Sequence, residues 1–216
     1  MSTEQRRSFI AEIKSEFEPL NFRTLDAADI NYWGEMARLS LVPLNPATLI
    51  ATELFSTIDK VPFLTTRYSA GVPEPGYLLA YFRCYGDYYN IQIRSADQSG
   101  KFLSKHSSGL LGAFPAAGGD TTSFNLLDKN GKIVTLDDIE NDNVDLFFKA
   151  RNAGVVRSLC NSKAHSRKTW SSIRTFNDTS GDESIFRLRI LERNVPYPIT
   201  NVALNIGDVS ISAHNG

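Results

Sequence analysis

His106 and His165 each have a serine beside them, Ser107 and Ser166, and Cys160 lies five residues before His165. A hydroxyl or thiol nucleophile needs a base within hydrogen-bond reach. Adjacency along the chain does not supply one, and no Gly-x-Ser-x-Gly elbow is present. Gly100-Lys101 and Gly131-Lys132 lack the rest of a phosphate-binding loop and read as hairpin turns. Asp137, Asp138, Glu140, Asp142 and Asp145 crowd into nine residues without the ligand spacing and sixth-position glycine of a calcium loop. Pairing with the basic residues that follow, or plain solvation, is expected for these carboxylates. No catalytic residue, cofactor or metal is assigned from the sequence, and no enzymatic activity is expected.

Two other groups of residues suit recognition. From 146 to 177 there is no Asp or Glu, while Lys149, Arg151, Arg157, Lys163, Arg167, Lys168 and Arg174 are all cationic and Trp170 sits among them. Much of this, 161–172, reads as a long polar insertion, and cationic loops with an indole hold sulfated or sialylated glycans, phospholipid head groups or nucleic-acid phosphates. The second group is the aromatic run Tyr81, Phe82, Tyr85, Tyr88 and Tyr89, with Asp87 and Asn90 alongside. Rings with nearby polar groups stack on sugars, although strand alternation buries every second one. Tyr88 or Tyr89 is expected to be exposed at the turn. The expected ligand-binding residues are therefore Asp87, Tyr88, Tyr89, Lys163, Arg167 and Trp170.

The elements that position them divide the chain in two. Residues 1–60 read as helical: Ser2 and Gln5 fit a capping box, and Phe9, Ile13 and Phe17 recur every four residues up to Pro19. A second helix is expected from Thr24 with Leu25, Ala28, Tyr32, Met36 and Leu39 on one stripe, Gly34 weakening it by roughly 1 kcal/mol. A third follows Asn45 and Pro46, with Ile50, Leu54 and Ile58 on one face. Residues 61–216 change to short runs rich in aromatic and β-branched residues. Strands are expected at 63–68, 77–85, 88–95, 102–104, 110–114, 123–127, 132–136, 144–149, 155–159, 173–176, 185–191 and 199–211, with Asn130-Gly131 a hairpin turn.

The net charge of -1 exerts no global pull toward nucleic acid or an anionic membrane, so nucleic acid is not an expected partner. Cys84 and Cys160 are too few for a disulfide framework. The first residues lack the apolar core of a signal peptide, which makes a cytoplasmic start the expectation, with leaderless release also compatible. Asn177-Asp178-Thr179 is a glycosylation sequon, of consequence on a secretory route alone.

Within the β-rich part, two stretches repeat. Gly100-Lys101-Phe102-Leu103-Ser104 is followed by Gly109-Leu110-Leu111, and 45 residues after Phe102 the run Leu146-Phe147-Phe148-Lys149 is followed by Gly154-Val155-Val156. Each unit ends in a strand entered through Ser-x-Phe-like residues, Ser123-Phe124 in one and Ser184-Ile185-Phe186 in the other. Repetition at this period points to copies of one supersecondary unit, here about 88–131 and 132–192.

With Ile91-Gln92-Ile93-Arg94-Ser95 leading into Gly100-Lys101-Phe102-Leu103-Ser104 and Gly109-Leu110-Leu111, the repeat resembles that of β-trefoil proteins of the fascin-like and lectin-like kind. The resemblance covers about 88–192, matches two of the three units such proteins have, and lacks their Gln-x-Trp sugar motif. It implies a fold that is mainly β, α+β overall: a β-trefoil-like body behind an N-terminal helical segment. A sandwich or irregular barrel is the alternative for the same strands. The resemblance also implies a carbohydrate-binding, lectin-like protein whose partner is a glycan or another anionic surface ligand. Two alternatives stand beside it: a membrane-acting or pore-forming toxin component, motivated by the amphipathic helices and the cationic Trp-bearing segment, and a fascin-like actin-binding scaffold.

Overall fold

The computed structural model describes residues 2–16, 19–24, 61–69, 77–95, 98–117, 120–164 and 170–197, with the side chains of 67–69, 120, 161–164 and 170–173 excepted. The expected helices after Thr24 and after Asn45, the loop 70–76 and the strand 199–211 lie outside the described residues.

At the N-terminus the cap is as expected and the helix is not. Ser2 Oγ accepts the Gln5 N–H at 3.2 Å, but the helix it starts, α1 (Thr3–Arg6), is four residues long. The chain then enters a strand, β1 (Phe9–Ser15), in which Phe9, Ala11, Ile13 and Ser15 are buried and the residues between them are not. The four-residue spacing of Phe9, Ile13 and Phe17 is an even number, so it satisfies a period of two as well as a helical one. Ala11 and Ser15, small enough to face a packed interior, complete the strand's inward side. The helical reading of 1–60 is corrected here: Phe9–Ser15 belongs to the β body.

The remaining strands are β2 (Asn21–Arg23), β3 (Phe63–Ser69), β4 (Leu78–Tyr85), β5 (Tyr88–Ile93), β6 (Phe102–Lys105) and β7 (Leu111–Phe114). They continue with β8 (Ser123–Leu127), β9 (Ile133–Val134), β10 (Asn143–Ala150), β11 (Arg157–Ala164), β12 (Trp170–Asn177), β13 (Asp182–Glu183) and β14 (Ile185–Arg193). Most match the strands read from sequence to within a few residues. The stretch 161–172 differs: it is largely strand, and Ala164 pairs with Trp170 across the β11–β12 hairpin. Alternation there is masked in the sequence because the residues are small and polar.

Six strands close a barrel. β1 pairs with β4, β4 with β5, β5 with β8, β8 with β10, β10 with β14, and β14 with β1, every pairing antiparallel. The order around the ring is the order along the chain. In such a ring alternate strands run the same way, so β1, β5 and β10 all leave at one end. Each leads into a hairpin before the chain returns: β2 with β3, β6 with β7, and β11 with β12. The hairpins join one another at that end, through Phe63↔Gly112, the β12–β3 ladder and the Leu110↔Asn177 bridge.

The barrel interior is filled by aromatic rings. Phe9, Phe82, Tyr89, Phe124, Phe148 and Phe186, one from each of the six strands, are all at most 1% exposed. Phe9 stacks on Phe82 at 4.4 Å with Tyr89 edge-on at 5.5 Å, and Phe148 stacks on Phe186 at 4.3 Å with Phe124 at 6.5 Å. Phe82 and Phe148 join the two groups at 6.1 Å. Phe176 of β12 continues the stack onto Phe186 at 5.5 Å, tying a hairpin to the barrel.

This geometry corrects the sequence repeat. Phe102 lies in a hairpin strand opposite Phe114, whereas Phe147 lies in a barrel strand between Leu127 and Ile185, so the two are not equivalent. An aromatic residue seven positions before a glycine fits any strand running into a turn, so the shared offset does not require equivalent places in the fold. Ser123-Phe124 and Ser184-Ile185-Phe186 differ in spacing, yet Phe124 and Phe186 both sit in barrel strands that follow a hairpin, and both rings are buried.

Phe148 contacts three of the other five rings, so Phe148→Ala is expected to cost about 3–5 kcal/mol in urea unfolding. Phe148→Leu, which refills most of the volume, is expected to cost clearly less. Acid sensitivity follows from Asp138, whose carboxylate accepts the Thr135 N–H at 2.9 Å and the Thr135 hydroxyl at 3.1 Å and is held below the usual carboxylate range, chiefly by the first bond. A depressed folded-state pKa stabilises at neutral pH and loses that contribution as pH falls through it. Asp138→Asn is therefore expected to lower stability at neutral pH and to flatten its decline below about pH 5.

Candidate functional site

The outward side of the β4–β5 wall carries the clearest constellation. The two strands are joined by Gly86-Asp87 alone, Gly86 at φ 71°, the arrangement of a type II′ turn with glycine first. This turn places Tyr85 directly opposite Tyr88, and their rings lie 5.6 Å apart and nearly parallel. The Arg151 guanidinium, from the turn after β10, covers the Tyr88 ring at 4.4 Å. The Arg83 guanidinium, two residues before Tyr85 on the same side of β4, lies 4.8 Å from the Tyr85 ring and 3.7 Å from that of Tyr197. The result is a row across the surface: Arg151, Tyr88, Tyr85, Arg83, Tyr197.

Neighbouring groups fix the row. Tyr197 is held near β4 because the Tyr81 hydroxyl donates to the Val195 carbonyl at 3.2 Å and the Val195 N–H donates to the Ser8 carbonyl at 2.9 Å. The Arg151 N–H donates to the Ser123 carbonyl at 2.9 Å. Asn125 donates from Nδ2 to the Asp87 carbonyl at 2.8 Å, fixing the turn to β8. Beneath the row Arg94 lies 5.4 Å from the Tyr81 ring, and burial lowers its pKa. Burial likewise raises the Tyr81 and Tyr85 hydroxyls, so these rings stay neutral.

Charge makes the row distinctive. Arg7, Arg187, Arg189 and Arg193 are paired with Asp137, Asp145, Glu12 and Asp142, and Arg157 with Glu183. Among the described residues the acidic run meets Arg7, Arg187 and Arg193, with Lys132 on Asp138, where pairing with the basic segment that follows or plain solvation was the expectation. Among the described residues no carboxylate lies within ion-pair distance of Arg83 or Arg151. Guanidiniums stacked on rings keep their N–H edges directed sideways, in the plane that matches a carboxylate or sulfate.

The expected binding residues are dispersed. Asp87 is exposed and Tyr88 half-buried in the row. Tyr89, expected as a ligand contact, is fully buried: it points into the barrel, and its hydroxyl accepts the Leu136 N–H at 2.9 Å. Neighbouring strand residues face opposite ways, so Tyr88 and Tyr89 cannot share a surface. Lys163 and Trp170 fall in β11 and β12 at positions whose side chains are outside the description, and Arg167 lies outside the described residues. Tyr85 and Arg151 belong to the aromatic and cationic groups read from the sequence but not to the expected contacts, and Arg83 and Tyr197 belong to neither. Arg83 and Tyr85 are legible together as Tyr81-x-Arg83-x-Tyr85 before a Gly-Asp turn, one face of one strand. Arg151 and Tyr197 arrive from distant elements.

Other reactive groups serve the fold. His106 packs between Phe63 and Phe114, accepts the Ser108 N–H on Nδ1 at 3.2 Å, and has its pKa lowered by burial. Burial raises the Cys84 thiol. Asn177, in the sequon, is 2% exposed, and its Oδ1 accepts the Thr179 and Ser180 N–H groups at 2.9 and 2.7 Å. A second feature is a pit of about 190 Å³ between the end of β1, the β11–β12 hairpin and the segment 182–185.

Comparison of the chain with family models, curated proteins and solved structures finds no match. The reading of the site therefore rests on its own geometry.

Tyr89→Phe removes the acceptor of a buried N–H and is expected to cost about 1–3 kcal/mol in chemical unfolding. The same variant is expected to leave the Arg–Tyr row unchanged, seen as unshifted amide resonances for Arg83 and Tyr85.

Proposed function

We propose that this protein binds carbohydrate without transforming it, on a β-trefoil-like body, and that the ligand at the β4–β5 wall is an acidic glycan. Three units of strand, hairpin and strand support the architecture: β1 to β4, β5 to β8, and β10 to β14, taken in chain order around one ring. The first of these is the unit that the sequence repeat lacked, and it differs from the others by the long stretch between β2 and β3.

The observation that carries the ligand reading is the Arg151–Tyr88–Tyr85–Arg83 stack with no carboxylate partner for either arginine among the described residues. The faces of Tyr85 and Tyr88 are occupied by one another and by guanidiniums, which disfavours a neutral sugar stacked flat on them. What remains available is a set of planar N–H edges, phenol hydroxyls and the Asn90 amide on one side of the sheet. Such a surface fits carboxylate or sulfate groups carried on a sugar, with the hydroxyls of the sugar meeting the phenols.

A glycan array with sulfated, sialylated and neutral members is expected to show the acidic ones bound, more weakly as salt is raised. Charge-assisted hydrogen bonds contribute about 1.5–3 kcal/mol each, so Arg83→Met and Arg151→Met are each expected to weaken binding roughly 10- to 100-fold. Folded protein that retains no acidic glycan, or a double variant that binds as the parent does, would remove this reading.

A further inference from the structure

The pit at the hairpin end of the barrel is built differently from the Arg–Tyr row. Its floor is buried: Ser15 at the end of β1, Ser158 on β11, Phe176 on β12 and Ser184 just before β14 are each at most 6% exposed. Its rim is exposed and carries Glu16, Asp182 and Glu183, the last paired with Arg157 at 2.9 Å. Arg174 reaches in from β12 and donates from Nη1 to Ser158 Oγ at 3.0 Å. Ser184 Oγ, buried in the floor, has no hydrogen-bond partner among the described residues. A buried hydroxyl left without a partner is costly, and an ordered water or a ligand's polar group at the floor would satisfy it.

We infer that this pit is a second binding site, for a single neutral sugar ring. The inference rests on the pit alone and not on the acidic-glycan reading. Charge selects the class. An inorganic anion meets Arg174 but also three carboxylates at the rim, and a metal cation meets the carboxylates but also the guanidinium. A polyol escapes both conflicts, because each hydroxyl donates and accepts. Its hydroxyls donate to Glu16 and Asp182 at the rim and accept from Arg174 and Ser184 below, while its C–H face meets the partly exposed Ile185. The volume of about 190 Å³ equals roughly six waters, which suits one ring and excludes a chain of them at full depth.

The test is titration of the isotope-labelled full chain with galactose, glucose, mannose and N-acetylglucosamine, followed by amide NMR, with sodium sulfate and calcium chloride run as counter-probes. At least one sugar is expected to shift the amides of residues 15, 158 and 183–185 saturably, and neither salt is expected to do so. Ser184→Ala, which deletes one hydrogen bond, is expected to weaken that sugar about tenfold. Ser184→Leu, which fills the floor, is expected to abolish it in a protein whose other amides are unmoved. The Arg83→Met, Arg151→Met double variant is expected to bind the monosaccharide as the parent does, which separates this site from the Arg–Tyr row. Absence of saturable shifts at these amides for all four sugars would overturn the inference. So would a sulfate response there, or a Ser184→Ala variant that binds sugar undiminished.

Discussion

Closure of the six-stranded ring depends on filling its interior, and six aromatic side chains do this, one per strand. Aliphatic side chains such as Ile13, Ile91, Leu126, Leu146 and Leu188 share that interior, while the large planar rings reach across it and meet edge-on or stacked. Once Phe82 and Tyr89 are committed inward, strand alternation directs Tyr81, Arg83 and Tyr85 outward on β4 and Tyr88 outward on β5. The exposed row is therefore a consequence of the buried layer. A slip of one residue in β4 would turn Arg83 into the barrel and expose Phe82, a change that packing and desolvation both oppose.

The same constraint fixes the spacing within the row. Tyr85 and Tyr88 are brought together by the shortest hairpin connection available, and that connection is itself anchored to β8 through Asn125. Arg151 follows Ala150, the last residue of a barrel strand, and Tyr197 follows shortly after β14, so both cations and all the rings of the row are supported by strands of one closed body. Binding to such a surface needs little reordering of the protein, which leaves more of the interaction free energy available for affinity.

Much of the β body was legible in the sequence because its strands obey alternation and its turns carry glycine, asparagine or aspartate. The N-terminal strand was not, for a reason specific to its residues: Phe9, Ile13 and Phe17 are spaced by four, which a helix and a strand satisfy equally, and a good helix cap at Ser2 precedes them. Partners thirty or more residues away decided between the two, as β4 and β14 flank β1 on either side. Ser123-Phe124 and Ser184-Ile185-Phe186 mark strands whose rings are buried in the barrel, whereas the aromatic–glycine match joins a hairpin strand to a barrel strand. Of the site, Tyr88 and Asp87 were readable from their turn, whereas Arg151 and Tyr197 are assembled by tertiary structure and leave no local pattern.

The proposal for the Arg–Tyr row on the β4–β5 wall, that it holds an acidic sugar, can be followed at the Arg83 and Arg151 guanidiniums themselves. The most direct measurement is to follow the arginine side-chain N–H resonances while a sulfated disaccharide is added to the labelled protein. The signals of Arg83 and Arg151 are expected to move first and together, ahead of every paired arginine. Movement confined to the β11–β12 hairpin, with these two signals unchanged at saturation, would contradict it.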